Sequence, residues 1–134
     1  MTLKAKAYLP ADGIEPYSDV ESVVYQDGAV VVVLACSLNE KRHIEGVRIT
    51  FPSTNGFRLL DELDLARYWL SKEFTRGSYL LEMADGGWDA EEIELQGYER
   101  PRREWLAVTG NACVSVFCDV EPQVTEVSWS FEGA

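Results

Sequence analysis

The 134-residue sequence lacks most of the residues that common catalytic and metal sites require. Its single histidine, His43, follows Lys41 and Arg42 in a polar segment. The chain contains no G-x-S-x-G, H-E-x-x-H, Walker-type or G-x-G-x-x-G pattern. We therefore expect His43 to be a solvated surface residue, and we expect a non-enzymatic protein that uses no cofactor and no metal ion.

Cysteine and long apolar runs are also scarce. The three cysteines, Cys36, Cys113 and Cys118, are an odd number without C-x-x-C spacing, which favours small apolar residues in a reducing interior over a disulfide framework. The longest apolar run, residues 29–36, is too short to cross a bilayer, and the first residues do not have the pattern of a signal peptide. We expect a cytoplasmic protein that does not bind a membrane.

Negative charge is concentrated in one half of the chain. Residues 1–58 carry six Lys and Arg against seven acids, whereas residues 59–134 carry six against sixteen, which accounts for most of the net charge of −11. Such a field repels nucleic-acid phosphate and attracts basic proteins, although an acidic surface also serves solubility alone. We expect a basic protein partner and no nucleic acid.

Alternating and β-branched segments predict a protein built mainly of strands. Asp27-Gly28 joins two β-branched runs and favours a type I′ hairpin. Gly110-Asn111 favours a second hairpin with a type II′ turn, in which Trp105 would pair with Val116 and Ala107 with Val114. Near the end of the chain, alternation predicts a strand with Val127, Trp129 and Phe131 facing inward.

One segment has a helical pattern. Leu63, Leu65, Ala66, Trp69 and Leu70 share one broad face, and Asp61 is positioned to cap the helix. We therefore predict a single α+β domain over residues 1–134, with a mainly antiparallel, curved sheet of about six to eight strands and one principal helix near residues 61–73. A β-sandwich or an open barrel is the alternative.

The stretch EMADGGWDAEEIELQG, residues 82–97, contains no Lys or Arg. A calcium loop starting at Asp85 would need Gly at its sixth position and Glu at its twelfth, where the chain has Ala90 and Gln96. Residues 89–96 fit a strand that pairs with the preceding segment. They also fit a short helix capped by Asp89 and ended by Gly97, and we favour the strand because strands flank it.

The same stretch contains the candidate binding residues. A tryptophan beside several carboxylates is a plausible anchor for a basic partner, because aromatic residues dominate binding hot spots and acids accelerate encounter. The alternative is that Trp88 packs on the core while the carboxylates face water. The predicted partner-binding residues are Asp85, Trp88, Asp89, Glu91, Glu92 and Glu94.

In size, charge and reduced cysteines, the chain is similar to many bacterial immunity proteins, which cover and neutralise a basic nuclease toxin. The resemblance implies an immunity-type, non-enzymatic inhibitor. Two other classes stay open: a small-ligand-binding or hydrolytic enzyme with two carboxylates in a pocket, and a homodimeric structural subunit. The expected oligomeric state is a monomer or a homodimer.

Overall fold

The computed structural model describes residues 4–8, 18–38, 41–61, 79–85, 87–98 and 102–130. Antiparallel strands and one helix make up this part of the chain, which confirms the α+β character. In chain order the elements are β1 (Lys4–Ala7), β2 (Asp19–Gln26), β3 (Ala29–Leu38), β4 (His43–Phe51), β5 (Gly56–Asp61), β6 (Leu80–Asp85), α1 (Trp88–Gln96), β7 (Glu104–Val108), β8 (Ala112–Phe117) and β9 (Gln123–Ser130).

The strands form two sheets instead of the single curved sheet that we predicted. One has the order β1-β6-β7-β8-β5 and the other β2-β3-β4-β9, all neighbours are antiparallel, and neither described sheet closes on itself. The sheets share one buried apolar cluster, to which β3 and β4 contribute from one side and β6, β7 and β8 from the other. The four-stranded sheet buries one face against this common core, whereas β7, and β8 beyond its first residue, are buried on both faces.

Both predicted hairpins form. Asp27 and Gly28 have φ values of 52° and 80°, as a type I′ turn between β2 and β3 requires. Trp105 pairs with Val116 and Ala107 with Val114, which confirms the predicted register of β7 and β8. The type II′ turn is wrong, because Gly110 does not have a positive φ. Instead the Thr109 hydroxyl accepts hydrogen bonds from the backbone N–H groups of Asn111 and Ala112.

The predicted helix near residues 61–73 lies outside the described residues except for its first residue. Asp61 is the last residue of β5 and pairs with Ala112 of β8, so residues 56–61 are a strand up to the start of the predicted helix. Residues 56–61 alternate between half-buried and exposed positions along the edge of the five-stranded sheet. Pairing with β8 satisfies the backbone N–H and C=O groups of this short segment, so it does not need helical hydrogen bonds.

The alternation predicted for β9 agrees with burial, since Val127 and Trp129 are half-buried and Ser128 and Ser130 are exposed, but the register with β4 places the apolar residues on the side away from the common core. Glu126 lies opposite Val47, which belongs to the buried core, so Glu126 faces the core side of the sheet. Val127 and Trp129 lie on the outer side, and Phe131 is outside the described residues. Trp129 reaches over Gly46, where an added Cβ would stand 3.3 Å from the indole Cη2 atom and would also overlap the Leu34 carbonyl oxygen.

Other local predictions agree with the structure. His43 is exposed at the start of β4. The three cysteines form no disulfide; Cys113 and Cys118 are buried, and Cys36 is half-buried. Within the described ranges, no helix has the length and apolar character needed to span a bilayer.

Gly46→Ala should lower the free energy of unfolding by about 3 kcal/mol, because its Cβ would press on the backbone oxygen of Leu34, which cannot rotate away. Gly56→Ala is the matched control, since its Cβ would meet its nearest neighbours at 3.5 Å, an ordinary contact distance. Urea unfolding measured for both variants checks this prediction. Equal losses of stability would contradict the proposed close approach at Gly46.

Candidate functional site

Residues 88–96 form helix α1, so the strand that we favoured for this stretch is wrong and the short helix is correct. Gly87 is the N-cap and makes no side-chain cap, while Gly97 ends the helix with a φ of 80° and donates its N–H to the Ile93 carbonyl. Asp89 therefore lies inside the helix and does not cap it. The cap comes from a distant residue: the Glu104 carboxylate on β7 accepts the backbone N–H groups of Trp88 at 2.9 Å and Asp89 at 2.8 Å.

Glu104 is a buried acid with an unusual environment. Only 3% of the residue is exposed, and a Cβ at Gly87 would overlap its carboxylate oxygen Oε2. Burial raises the pKa of Glu104, and this effect outweighs the opposing effects of the two backbone N–H donors and of the Arg58 charge. The sheet thus holds the start of α1 through a carboxylate that is costly to ionise.

Trp88 packs on the sheet instead of pointing away from it. Its indole ring stacks on Phe117 with a centroid separation of 4.1 Å and an interplanar angle of 19°. The Arg58 guanidinium lies over the same indole, 5.0 Å from its centroid, and the indole N–H donates to Glu92 at 3.1 Å. Trp88 is half-buried by these contacts, so it anchors the helix to the protein's own sheet.

Two ion pairs attach the first turns of α1 to the sheet. Arg102 Nε donates to Asp89 at 2.7 Å, and its guanidinium also lies 3.8 Å from the Phe117 ring centroid. Arg58 donates to Glu91 at 3.0 Å. The Arg102 side chain is almost fully buried, whereas the other three charged side chains are partly exposed. These ion pairs neutralise two of the negative charges of the helix by contacts within the protein.

The predicted partner-binding residues thus divide by their contacts. The side chain of Asp85 is outside the described part of the structure. Trp88, Asp89, Glu91 and Glu92 are half-buried and contact the sheet or the helix, while Glu94 is exposed. Four of the six residues therefore lie together on the half-buried side of α1, which we call its docked side: Trp88, Asp89, Glu91 and Glu92. Glu94 lies on the exposed side of the helix.

Sequence reasoning missed two exposed apolar residues next to Glu94. Leu95 is 80% exposed at the end of α1, and Tyr98, just after the C-cap, is 60% exposed. Leu95 and Tyr98 are three residues apart in the sequence, and exposed apolar side chains that form a patch mark interaction surfaces. We call Glu94, Leu95 and Tyr98 the α1 tip. Their spacing of one and three residues was visible in the sequence, but only the orientation of α1 shows that they face outward.

The described residues provide no metal site, since they contain no group of three His, Cys, Asp or Glu side chains arranged to hold an ion. A cavity of about 150 Å³ lies beside the start of α1 and is lined in part by Met83, Ile93, Arg102 and Glu104. Two of the polar residues that line it, Glu104 and Arg102, form hydrogen bonds with Trp88 and Asp89 of the helix. The arrangement at α1 is therefore suited to holding the helix in place.

Comparison with known proteins gives no relative: no family model, no curated protein and no solved structure matches the chain.

Glu104→Gln should lower the free energy of unfolding at neutral pH by about 1–3 kcal/mol, because one amide oxygen replaces two carboxylate oxygens and one helix N–H loses its acceptor. Amide hydrogen exchange should become faster at Trp88 and Asp89. Glu82→Gln is the control, since Glu82 pairs with Arg103 at a partly exposed position and should cost less than about 1 kcal/mol. Unchanged exchange at both amides would contradict the cap.

The stability difference between the wild type and Glu104→Gln should grow as the pH falls from neutral toward the ordinary pKa of a glutamate. Because burial raises the pKa of Glu104 in the folded state, the folded protein takes up a proton before the unfolded chain does. The stabilisation from this group is complete below the ordinary pKa and is lost as the pH rises through the raised value. Urea unfolding at several pH values tests the sign, and a difference that shrinks on acidification would contradict it.

Proposed function

We propose that the protein is a non-enzymatic binding domain that recognises a basic protein partner, and that it does so through the α1 tip. The observation that supports this most directly is the exposure of Leu95 and Tyr98 beside the carboxylate of Glu94. A tyrosine side chain loses little conformational entropy when a partner covers it, and tyrosine is enriched in binding hot spots.

The charge of the site supports a basic partner. Residues 82–99 contain seven acids and no Lys or Arg, and α1 has no basic residue in its last turn. The C-terminal end of a helix has a partial negative charge, which adds to that of Glu94. A lysine or arginine from a partner would therefore meet both the helix terminus and the carboxylate.

The docked side of α1 has a different role in this proposal. Trp88, Asp89 and Glu91 hold the helix against the sheet, so they present the tip and do not themselves form the interface. A rigid helix that is already docked loses less entropy on binding than a free segment does. An immunity-type inhibitor of a basic toxin or nuclease is the kind of protein that this surface suits.

The test compares substitutions at the tip with matched substitutions elsewhere. Leu95→Ala and Tyr98→Ala should each weaken partner binding by about tenfold or more, or about 1.4 kcal/mol. Glu94→Lys should weaken binding and make it less dependent on salt, because one attractive charge is replaced by a repulsive one. Glu94 is preferred to Asp89 or Glu91 here, since reversing those two would also break the ion pairs with Arg102 and Arg58.

Controls come from the edge strand β2. Val24 and Glu21 are both exposed there. Val24→Ala therefore truncates an exposed apolar side chain, and Glu21→Lys reverses an exposed negative charge, at positions away from the tip. The measurement is capture on the immobilised wild type at low salt, elution with increasing salt, and titration of the eluted protein against each variant. Equal affinity for the tip variants and the controls, or an acidic protein as the specific partner, would refute the proposal.

A further inference from the structure

β5 is an edge strand that carries exposed apolar side chains. Among the described strands only β8 pairs with it, and an edge strand presents backbone N–H and C=O groups that a further strand can bond. Phe57 lies opposite Val116 and Leu59 opposite Val114, so both point to the side of the common core, yet both are exposed. Tyr25 of β2 is also exposed, and its ring centroid lies 5.8 Å from that of Phe57. We call Tyr25, Phe57 and Leu59 the β5 patch.

The other three edge strands of the described sheets have features that discourage pairing with a further strand. β1 has four residues, two of them lysines. β2 has a register shift between Val20 and Ser22 and the exposed acids Asp19 and Glu21. Every exposed residue of β9 is polar. Short length, bulges and charged side chains protect sheet edges, whereas β5 combines an uninterrupted register with two exposed apolar side chains.

The charge of β5 suits contact between two copies of this acidic chain. Its two charged residues, Arg58 and Asp61, have opposite signs, so the strand has no net charge in a chain of −11. Arg58 is on the side of the strand opposite to the β5 patch, where it donates to Glu91 at 3.0 Å and lies over the Trp88 ring. Two acidic chains repel each other least where the facing surfaces are neutral. β5 therefore offers a second copy an apolar edge at little electrostatic cost.

β5 is complementary to itself in one antiparallel register. Opposite residues of an antiparallel pair share a face, so a two-fold axis places one residue of β5 opposite its own copy. With Arg58 on the axis, Phe57 of each copy lies opposite Leu59 of the other. An axis one or two residues away would place an apolar residue of the patch opposite Asn55 or Asp61. The two Arg58 residues would face each other, but each already bonds to a carboxylate of its own chain.

We infer that the partner of the β5 patch is a second copy of this chain: two β5 strands pair antiparallel about a two-fold axis at Arg58 and join the two five-stranded sheets into one. Both copies use the same strand, so the assembly closes as a dimer. Six residues in each strand make a small interface, which is typical of weak, reversible association. The inference does not involve the α1 tip and does not depend on the function proposed for it.

Sedimentation equilibrium of the full chain tests the association. Between about 10 μM and about 1 mM, the average mass should rise from that of one chain toward that of two, as expected for a small interface. Higher salt should strengthen the association, because it screens the repulsion between two chains of charge −11. A mass of one chain throughout this range, or dissociation by salt, would overturn the inference.

Matched lysine substitutions locate the interface. Leu59 and Leu38 are both 58% exposed, and Leu38 is at the far end of β3 from Val30, which pairs with Tyr25. Leu59→Lys should raise the dissociation constant by about tenfold or more, because each copy would bring a charge into the apolar contact. Leu38→Lys should leave it unchanged, as should Leu95→Ala at the α1 tip. Unfolding midpoints show whether each variant is folded. Undiminished association of Leu59→Lys, or an equal loss in either control, would refute the β5 interface.

A mixture of two variants tests the register. Phe57→Glu alone and Leu59→Lys alone should both associate poorly, because each places charges in the apolar contact. In a mixed dimer the two substituted positions lie opposite each other with opposite charges, and the other contact between Phe57 and Leu59 stays apolar. The equimolar mixture should therefore associate about tenfold more tightly than either variant alone. A mixture that associates no better than its components would refute the register centred on Arg58.

Discussion

The position of α1 depends on one buried interaction, the pair of hydrogen bonds from the start of the helix to Glu104. An isolated helix of nine residues is marginally stable, and this one has neither a side-chain cap at its own N-terminus nor any fully buried residue. The carboxylate is on β7, where the sheet fixes its place, and burial strengthens its attraction for the two N–H groups while making its charge costly. Gly87 is required at the junction because a side chain there would displace the carboxylate. With the start of the helix fixed, Trp88 stacks on Phe117 and the tip is left facing water.

Turns and strand registers that depend on residues close together in the sequence could be predicted from the sequence alone. Asp27-Gly28 specifies its own turn, and the register of β7 and β8 follows from a short connection and two alternating arms. Helix α1 could not be predicted with the same certainty, because its cap is 15 residues away from Asp89 along the chain. The pattern of acids in residues 89–96 fits a strand and a helix equally well. Only the tertiary position of Glu104 decides between them.

The same difference between local and long-range contacts explains why the strand β5 was not predicted and why the side on which the apolar residues of β9 lie was not predicted. Residues 57–61 precede a helical pattern, yet pairing with β8 makes them a strand. In β9, hydrophobicity predicts that Val127 and Trp129 face inward, but the register with β4 places Glu126 and Ser128 on the core side. Burial of apolar side chains normally decides which face of a strand is turned inward. Here Trp129 has an alternative place to pack, over Gly46, so the outer side of the sheet also offers apolar contacts.

Net charge alone overstates how many carboxylates are available to a partner. Asp89 is already paired with Arg102, just before β7, Glu91 with Arg58 of β5, and Glu82 with Arg103. Glu94 has no such described arginine partner, and it lies at the exposed end of α1 close in sequence to two exposed apolar side chains, which suits a protein partner. The ion pairs within the chain, and not the net charge, therefore set which carboxylates of α1 a partner can meet.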